Sequence, residues 1–425
     1  MTDIVDELTW RGLLAQSTDL DEIRKALVDG PVTLYCGFDP TGASLHIGHL
    51  MQILTLRRFQ HAGHRPIALV GGATGLIGDP SGKNIERTLN PAETVAEWVQ
   101  RIGAQLERFL DFTPGPGGAI LASNLDWTSG LTTIEFLRDI GKHFSVNRML
   151  ARETVKARLA GEGMSYTEFS YVLLQAYDFL QLFRGYGCVL QTGGTDQWGN
   201  LTAGVELIRR IEGKTAHAVT TPLLTRADGT KFGKTATGES VWLDPELTSP
   251  YAFFQFWVNA DDRDVGNYLR AFSFRPREEI EDLERWTAER PAAREAQRAL
   301  AEELTTLVHG PDECVRVVAA SHALFGRGAL EELDERTLEA ALAEVPRVTV
   351  QGPLPPLVDL LAETGLTSSK SAARRAIAEG GAYLNNGKIT DEAAVPTAGD
   401  LLHGRFLVLR RGKRSVGGVE VTGSG

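Results

Sequence analysis

The chain has 425 residues, 42% hydrophobic and 23% charged, the balance of a soluble globular protein of two to four domains rather than a disordered one. A net charge of −11 argues against nonspecific DNA binding, and no apolar run reaches the ~18 residues of a membrane span. Cys36, Cys188 and Cys314 are too few and too scattered for a disulfide framework or a structural zinc site, and the acidic start, Met1 to Glu7, lacks the pattern of a signal peptide; a cytoplasmic protein is expected.

In chain order, Pro31 to Phe38 reads as a buried strand, His49 to Phe59 as a helix and Pro66 to Gly72 as the next strand. Strand, crossover helix and strand predict a parallel α/β sheet, with ligands at the carboxyl ends of its strands. The loop after the first strand runs Asp39-Pro40-Thr41-Gly42-Ala43-Ser44-Leu45-His46-Ile47-Gly48-His49. His46 and His49, three apart at a helix start, can face one point beyond the helix end, where unpaired N–H groups and the positive dipole end suit a polyphosphate. Gly48 between them lets a flat ring approach the backbone. No third ligand stands at metal spacing. The second loop, Gly71 to Asn84, fails as a phosphate-binding P-loop: Gly78 and Gly82 enclose three residues instead of four, and Asn84 stands where the Mg²⁺-binding Ser/Thr belongs. ATP binding, if present, is of another kind. Thr113 to Gly118 is a surface loop.

Tyr171, Gln175 and Asp178, spaced i, i+4, i+7 among apolar neighbours, put a phenol, an amide and a carboxylate on one helical face; an internal hydrogen-bond network and a polar ligand fit that stripe equally. Gly193-Gly194-Thr195-Asp196-Gln197-Trp198 follows a strand from Cys188 to Gln191, and a carboxylate after such a turn often meets a ribose hydroxyl. After the strand-like Thr220 to Leu224, Lys231-Phe232-Gly233-Lys234-Thr235 makes a mobile cationic loop. From Arg277 to about Glu344 the spacing predicts a helical subdomain. Pro346, Pro353, Pro355 and Pro356 mark a linker, and a compact unit follows with a basic helix through Arg374-Arg375 and an Asn385-Asn386-Gly387 hairpin. Residues 351 to 425 carry nine Lys/Arg against seven Asp/Glu, a mildly basic tail on an acidic body.

Together these residues resemble one family. His46-Ile47-Gly48-His49 with Lys231-Phe232-Gly233-Lys234-Thr235 is similar to the paired HIGH and KMSKS motifs of class I aminoacyl-tRNA synthetases, with Phe-Gly in place of Met-Ser in the second. Tyr35 to Thr41, Tyr171 to Asp178 and Gly194 to Asn200 resemble the bacterial tyrosyl-tRNA synthetases in particular, and Thr367 to Arg375 with Asn386 to Ile389 resembles their ribosomal-protein-type RNA-binding module. Gln52 departs from relatives that carry a smaller residue there.

The resemblance implies a Rossmann-like parallel-sheet α/β catalytic domain (1–225), a helical domain that begins with the lysine loop (226–345), a linker (346–356) and a small α+β RNA-binding domain (357–425). It implies tyrosine activation by ATP with Mg²⁺, no structural metal, transfer to tRNA(Tyr), and a homodimer that binds neither membrane nor DNA. By that analogy Tyr35 and Asp178 bind the substrate phenol, Asp79, Tyr171 and Gln175 its ammonium, and Gln197 lies near its carboxylate. Cys36, Gly37, Asp39, Gly48, Gly194 and Asp196 line the nucleotide site with His49. Thr41, His46, Lys83, Arg87, Lys231 and Lys234 grip pyrophosphate, and Lys370, Arg374 and Arg375 contact RNA. The alternatives are a tryptophanyl-tRNA synthetase, a noncatalytic RNA-binding relative and a nucleotidyltransferase with a histidine loop.

Overall fold

The computed structural model describes residues 3–81, 89–161, 163–230, 232–234 and 238–422; Lys83, Arg87, Lys231 and Thr235 lie outside them. The chain divides into two compact units, Met1–Asp244 with Asp261–Ala296, and Pro245–Ala260 with Gln297–Gly425.

The first unit is built on a six-stranded sheet of β1 (Gln16–Ser17), β2 (Thr33–Phe38), β3 (Arg65–Val70), β4 (Ile120–Ser123), β5 (Cys188–Gly194) and β6 (His217–Thr221), in the order β1-β6-β5-β2-β3-β4. Every pairing is parallel except β1 with β6. Helices cover both faces, so β3 is apolar and buried almost throughout, as parallel strands must be. The order reverses between β2 and β5, which opens a crevice at their carboxyl ends. Tyr35 stands opposite Gln191 in the β2–β5 register, so both share one face of the sheet; by alternation Cys36 and Thr192 share the other.

Two helices aim side chains at this crevice. Ile47–His61 buries Leu50, Ile53, Leu54, Leu56 and Phe59 against the sheet, with His46 as its N-cap. Tyr166–Tyr186 is capped by Ser165 and ends at Gly187, whose φ of 63° is the left-handed conformation that closes a helix. Its apolar face meets the core through Val172, Leu173, Phe179 and Leu180.

The second unit joins helices Pro250–Val258, Pro311–Leu324 and Glu335–Ala343 to a five-stranded sheet of β7 (Arg347–Gln351), β8 (Ala382–Leu384), β9 (Gly387–Lys388), β10 (Phe406–Arg411) and β11 (Ser415–Thr422), ordered β7-β11-β10-β8-β9. Its core packs helix Leu357–Glu363 and helix Lys370–Ala378 on this sheet through Leu360, Leu361, Ile377, Leu407, Leu409 and Val419. Arg347–Gln351, inside the proline-marked segment, pairs in parallel with Gly418–Thr422 and so forms an edge of the module's sheet. The β8–β9 hairpin turns on Asn385 and Asn386, at φ 45° and 66°; Gly387 is already paired with Leu384. Among the described residues no helix is long and apolar enough to cross a membrane.

Candidate active site

A cavity of about 430 Å³ opens at the carboxyl ends of β2, β3 and β5. Of the residues expected to bind ligand, it is lined by Tyr35, Cys36, Gly37, Asp39 and Thr41 from β2 and its loop, and by His46, Gly48 and His49 at the helix start. Asp79 follows β3, Tyr171, Gln175 and Asp178 come from the long helix, and Gly194, Asp196 and Gln197 follow β5. Lys234 is not in this lining: its Nζ donates to Ser240 Oγ at 2.9 Å, and Arg226 donates to its backbone carbonyl. Phe232 ties the same loop down through contacts with Tyr268 and Phe272, ring centroids 4.9 and 5.5 Å away, so one end of the lysine loop is anchored in an aromatic cluster.

The two histidines fold back on their own helix. The His46 N–H donates to His49 Nδ1 at 3.2 Å, and the Gly48 N–H donates to His46 Nδ1 at 3.1 Å. The rings stack with centroids 3.9 Å apart. A Cβ at Gly48 would lie 2.8 Å from the His46 ring, so the flat ring this glycine admits is that of its own neighbour. Burial, with His46 close by, pushes the His49 pKa well below the usual imidazole range and keeps the ring neutral. With its Nδ1 accepting, the neutral His49 ring carries its proton on Nε2, a donor available to a ligand.

Polar groups at the other end form a continuous network. Tyr171 OH donates to Asp39 Oδ2 and Thr74 Oγ to Asp39 Oδ1, both at 2.6 Å. A side chain at Gly71 would put its Cβ 2.0 Å from Asp39 Oδ1, so this glycine makes room for the network. Burial, reinforced by Asp39 and Asp79, keeps the Tyr171 phenol protonated. Gln197 Nε2 donates to Asp79 Oδ2 at 2.6 Å, and its Oε1 accepts from Asn200 at 3.1 Å, which fixes the orientation of the amide. Burial raises the Asp196 pKa, with Asp79 adding to the effect.

Asp178 stands only 3% exposed. Its Oδ2 accepts from Asn124 Nδ2 and its Oδ1 from Trp127 Nε1, each at 2.9 Å. Burial raises its pKa to about 7 despite these two donors, which favour the ionised form. Burial also raises the Tyr35 phenol well above its usual range, followed in effect by Asp178, and lifts the Cys36 thiol to about 12; both stay neutral.

Sequence reasoning missed Asn124, Trp127 and Thr74, which hold the site carboxylates, and Gln191 and Thr192, which line the cavity directly. Asn124 comes straight after β4, so the strand-end rule that picked the other loops could have found it. Five buried side-chain atoms of residues lining this cavity have no partner among the described residues: Tyr35 OH, Gln175 Oε1, Gln191 Oε1, Gln52 Oε1 and Thr192 Oγ1. Buried polar atoms are normally paired, so such a concentration marks a place prepared for a polar ligand. Gln52 is held by its Nε2, which donates to Thr221 Oγ1 at 2.6 Å. Within the Tyr171–Gln175–Asp178 stripe, Tyr171 and Asp178 sit in an internal hydrogen-bond network, and Gln175 Oε1 has no partner among the described residues.

Residues 28–326 match the family model described as tRNA synthetases class I (W and Y), and residues 337–416 match that of the tyrosine–tRNA ligase SYY-like C-terminal domain. The chain is 68% identical to the tyrosine–tRNA ligase of Thermobifida fusca over 99% of both chains, and 66% identical to that of Streptomyces coelicolor over 100% of both. The crystal structure of a C-terminally truncated mitochondrial tyrosyl-tRNA synthetase from Aspergillus nidulans superposes with a TM-score of 0.69 at 31% identity, over 76% of this chain and 94% of that one. The chain therefore belongs to the class I aminoacyl-tRNA synthetase family, in its tyrosine–tRNA ligase branch.

Proposed function

We propose that this cavity joins L-tyrosine to ATP, forming tyrosyl-adenylate and pyrophosphate, and that the tyrosyl group then passes to the terminal ribose of tRNA(Tyr). The observation that carries the choice of amino acid is Asp178, a buried carboxylate pinned by Asn124 and Trp127 and lining the same cavity as the unpartnered Tyr35 hydroxyl. A substrate phenol can donate to Asp178 and accept from Tyr35. Tryptophan offers no hydroxyl to that pair.

Asp79, Tyr171 and the open Gln175 Oε1 receive the substrate ammonium, and Gln197 sits by its carboxylate. That carboxylate attacks the α-phosphorus as the bond to the bridging oxygen of pyrophosphate breaks, so no protein nucleophile is needed. The protein supplies position and charge. Cys36, Gly37, Asp39, Gly48, Gly194 and Asp196 hold the nucleoside. His49 lines the nucleoside site with its Nε2–H donor, Thr41 and His46 meet the phosphates, and Lys83, Arg87, Lys231 and Lys234 neutralise the departing pyrophosphate. Lys234 lies outside the cavity lining, on a loop with Gly233 at φ 91°, so a late swing inward would strengthen its contact as the charge develops. Mg²⁺ carried by ATP would add further charge neutralisation on the phosphates.

We assign activation to residues 1–225 with the lysine loop, and tRNA contacts to 226–345 and 357–425. Lys370, Arg374 and Arg375 stand exposed on one helix, with Lys370 paired to Asp359 at 2.8 Å. A homodimer fits a different surface: among the described residues, seven of the sixteen exposed large apolar side chains, from Leu125 to Tyr166, fall within 42 residues of chain and include Ile134 at 69% and Val146 at 59% exposed. Sedimentation of Ile134→Asp as a dimer would remove that support. The reaction belongs in the cytoplasm, with its tRNA. Tyrosine-dependent ATP–pyrophosphate exchange, followed by tyrosine charging of tRNA(Tyr), tests the whole reading; exchange that tyrosine does not stimulate would overturn it.

A further inference from the structure

The C-terminal module is fastened to the helices that precede it by four side chains from its own loops and strands. Arg405 Nη1 donates to Glu335 at 2.8 Å, and its Nη2 reaches both Glu339 at 3.2 Å and Glu420 at 2.9 Å. Glu335 and Glu339 are one turn apart on helix Glu335–Ala343, whereas Glu420 lies on β11. His403 Nε2 meets the carbonyl of Leu333 at 2.8 Å, from a residue held at φ 51°. Asn386, at the tip of the β8–β9 turn, donates to the carbonyl of Ala323 at 2.7 Å, at the end of helix Pro311–Leu324. The Arg410 guanidinium, stacked over Tyr383 at 4.0 Å, fills the space at Gly326, where a Cβ would lie 2.8 Å from its nitrogen.

These contacts share one geometry. Apart from Arg405–Glu420 and Arg410–Tyr383, which lie within the module, each joins it to the segment between residues 323 and 339, and none uses the exposed basic face of helix Lys370–Ala378. A single exposed ion pair contributes little to stability, but one guanidinium shared among three carboxylates is a network, and two left-handed residues fix the directions of the neighbouring contacts. The strand β7 pairing shortens the free connection further.

We propose that Arg405, with His403, Asn386 and Arg410, forms a clasp that holds the RNA-binding module at a fixed place on the helical body before RNA arrives. These are positioning residues for tRNA. They touch no reacting atom, and they act by presenting Lys370, Arg374 and Arg375 in one orientation. The inference rests on the tRNA-charging reading above. Fixing one of two linked binding surfaces removes the entropy that a swinging tether would lose on binding, so opening the clasp weakens tRNA capture without touching activation.

The test uses the full chain and three variants: Arg405→Glu, Glu335→Gln/Glu339→Gln, and the swap Arg405→Glu/Glu335→Arg. Charging is measured against tRNA(Tyr) concentration, with tyrosine-dependent pyrophosphate exchange as the control. The clasp predicts that the first two variants raise the KM for tRNA by about tenfold with little change in kcat or in exchange, and that the swap recovers most of the loss. The glutamine pair is decisive because it removes negative charge. If Arg405 served only as a direct phosphate contact, removing two of its three carboxylates would lower KM, and that result overturns the clasp. An unchanged KM in all variants overturns it as well. Loss of exchange in the wild-type chain would instead count against the catalytic reading.

Discussion

Replacing Trp127 with Phe keeps an aromatic ring beside Asp178 but removes the indole N–H that donates to Oδ1 at 2.9 Å. A hydrogen bond to a charged group is worth about 1.5–3 kcal/mol, and each pKa unit corresponds to about 1.4 kcal/mol. Loss of this donor therefore raises the Asp178 pKa by about 1–2 units from its value of about 7, because only the ionised form gained from the bond. At pH 7.5 the wild-type carboxyl is then mainly ionised, whereas in the variant it is mainly protonated. If ionised Asp178 accepts the phenol O–H of the substrate, kcat/KM for tyrosine falls by close to an order of magnitude at pH 7.5 and recovers as the pH rises past 9. The assay is tyrosine-dependent ATP–pyrophosphate exchange between pH 6 and 9.5. A variant whose acid limb coincides with that of the wild type would refute the reasoning, since either Asp178 does not titrate there or Trp127 does not hold it.

Lys234→Ala should slow tyrosyl-adenylate formation, measured by rapid quench, by the equivalent of about 2.7–4 kcal/mol while tyrosine affinity stays near wild type; an unchanged rate removes Lys234 from pyrophosphate stabilisation. Asp178 titrates near 7 in the folded chain against 3.8 in the ordinary range, so the folded state binds the extra proton and stability from this group falls as pH rises between about 4 and 7. The Tm of Asp178→Asn minus that of the wild type should accordingly become more positive from pH 5 to pH 8, and a flat difference contradicts the raised pKa. A chain ending at Glu344, cut ahead of β7 rather than through it, should retain pyrophosphate exchange and lose efficiency in tRNA charging; equal loss of both would place the module within the catalytic unit.

Much of this site was legible because parallel strands announce themselves as apolar runs and deliver ligand-binding residues at fixed ends. His46, His49 and Asp196, placed by that rule, and Tyr171, Gln175 and Asp178, grouped by helical spacing, all line one cavity. What stayed hidden depends on contacts across the chain. Asn124 and Trp127 are 54 and 51 residues from the carboxylate they hold, and nothing local in Leu125-Asp126-Trp127 marks an indole aimed at a carboxylate. Prolines around Arg347–Gln351 read as a linker because their local effect is to break structure, yet the segment gains its strand by pairing with Gly418–Thr422, some 70 residues on. The lysine loop read as mobile from its glycines, and the aromatic anchor of Phe232 comes from Tyr268 and Phe272. The Asn385-Asn386-Gly387 hairpin is legible locally, but Asn385 and Asn386, not Gly387, take the left-handed positions that glycine usually fills.

The central claim is that a buried, doubly held carboxylate reads the hydroxyl of the amino acid. Its most direct test compares tyrosine and phenylalanine as substrates for pyrophosphate exchange in the wild type and in Asp178→Ala. The wild type should use tyrosine strongly in preference, because phenylalanine brings no hydroxyl to the buried Asp178 and leaves the Tyr35 hydroxyl, which has no partner among the described residues, unpaired. In the variant the kcat/KM for tyrosine should fall sharply while that for phenylalanine changes much less, so the ratio collapses. A ratio that stays at its wild-type value would contradict the account, because the hydroxyl would then be read elsewhere.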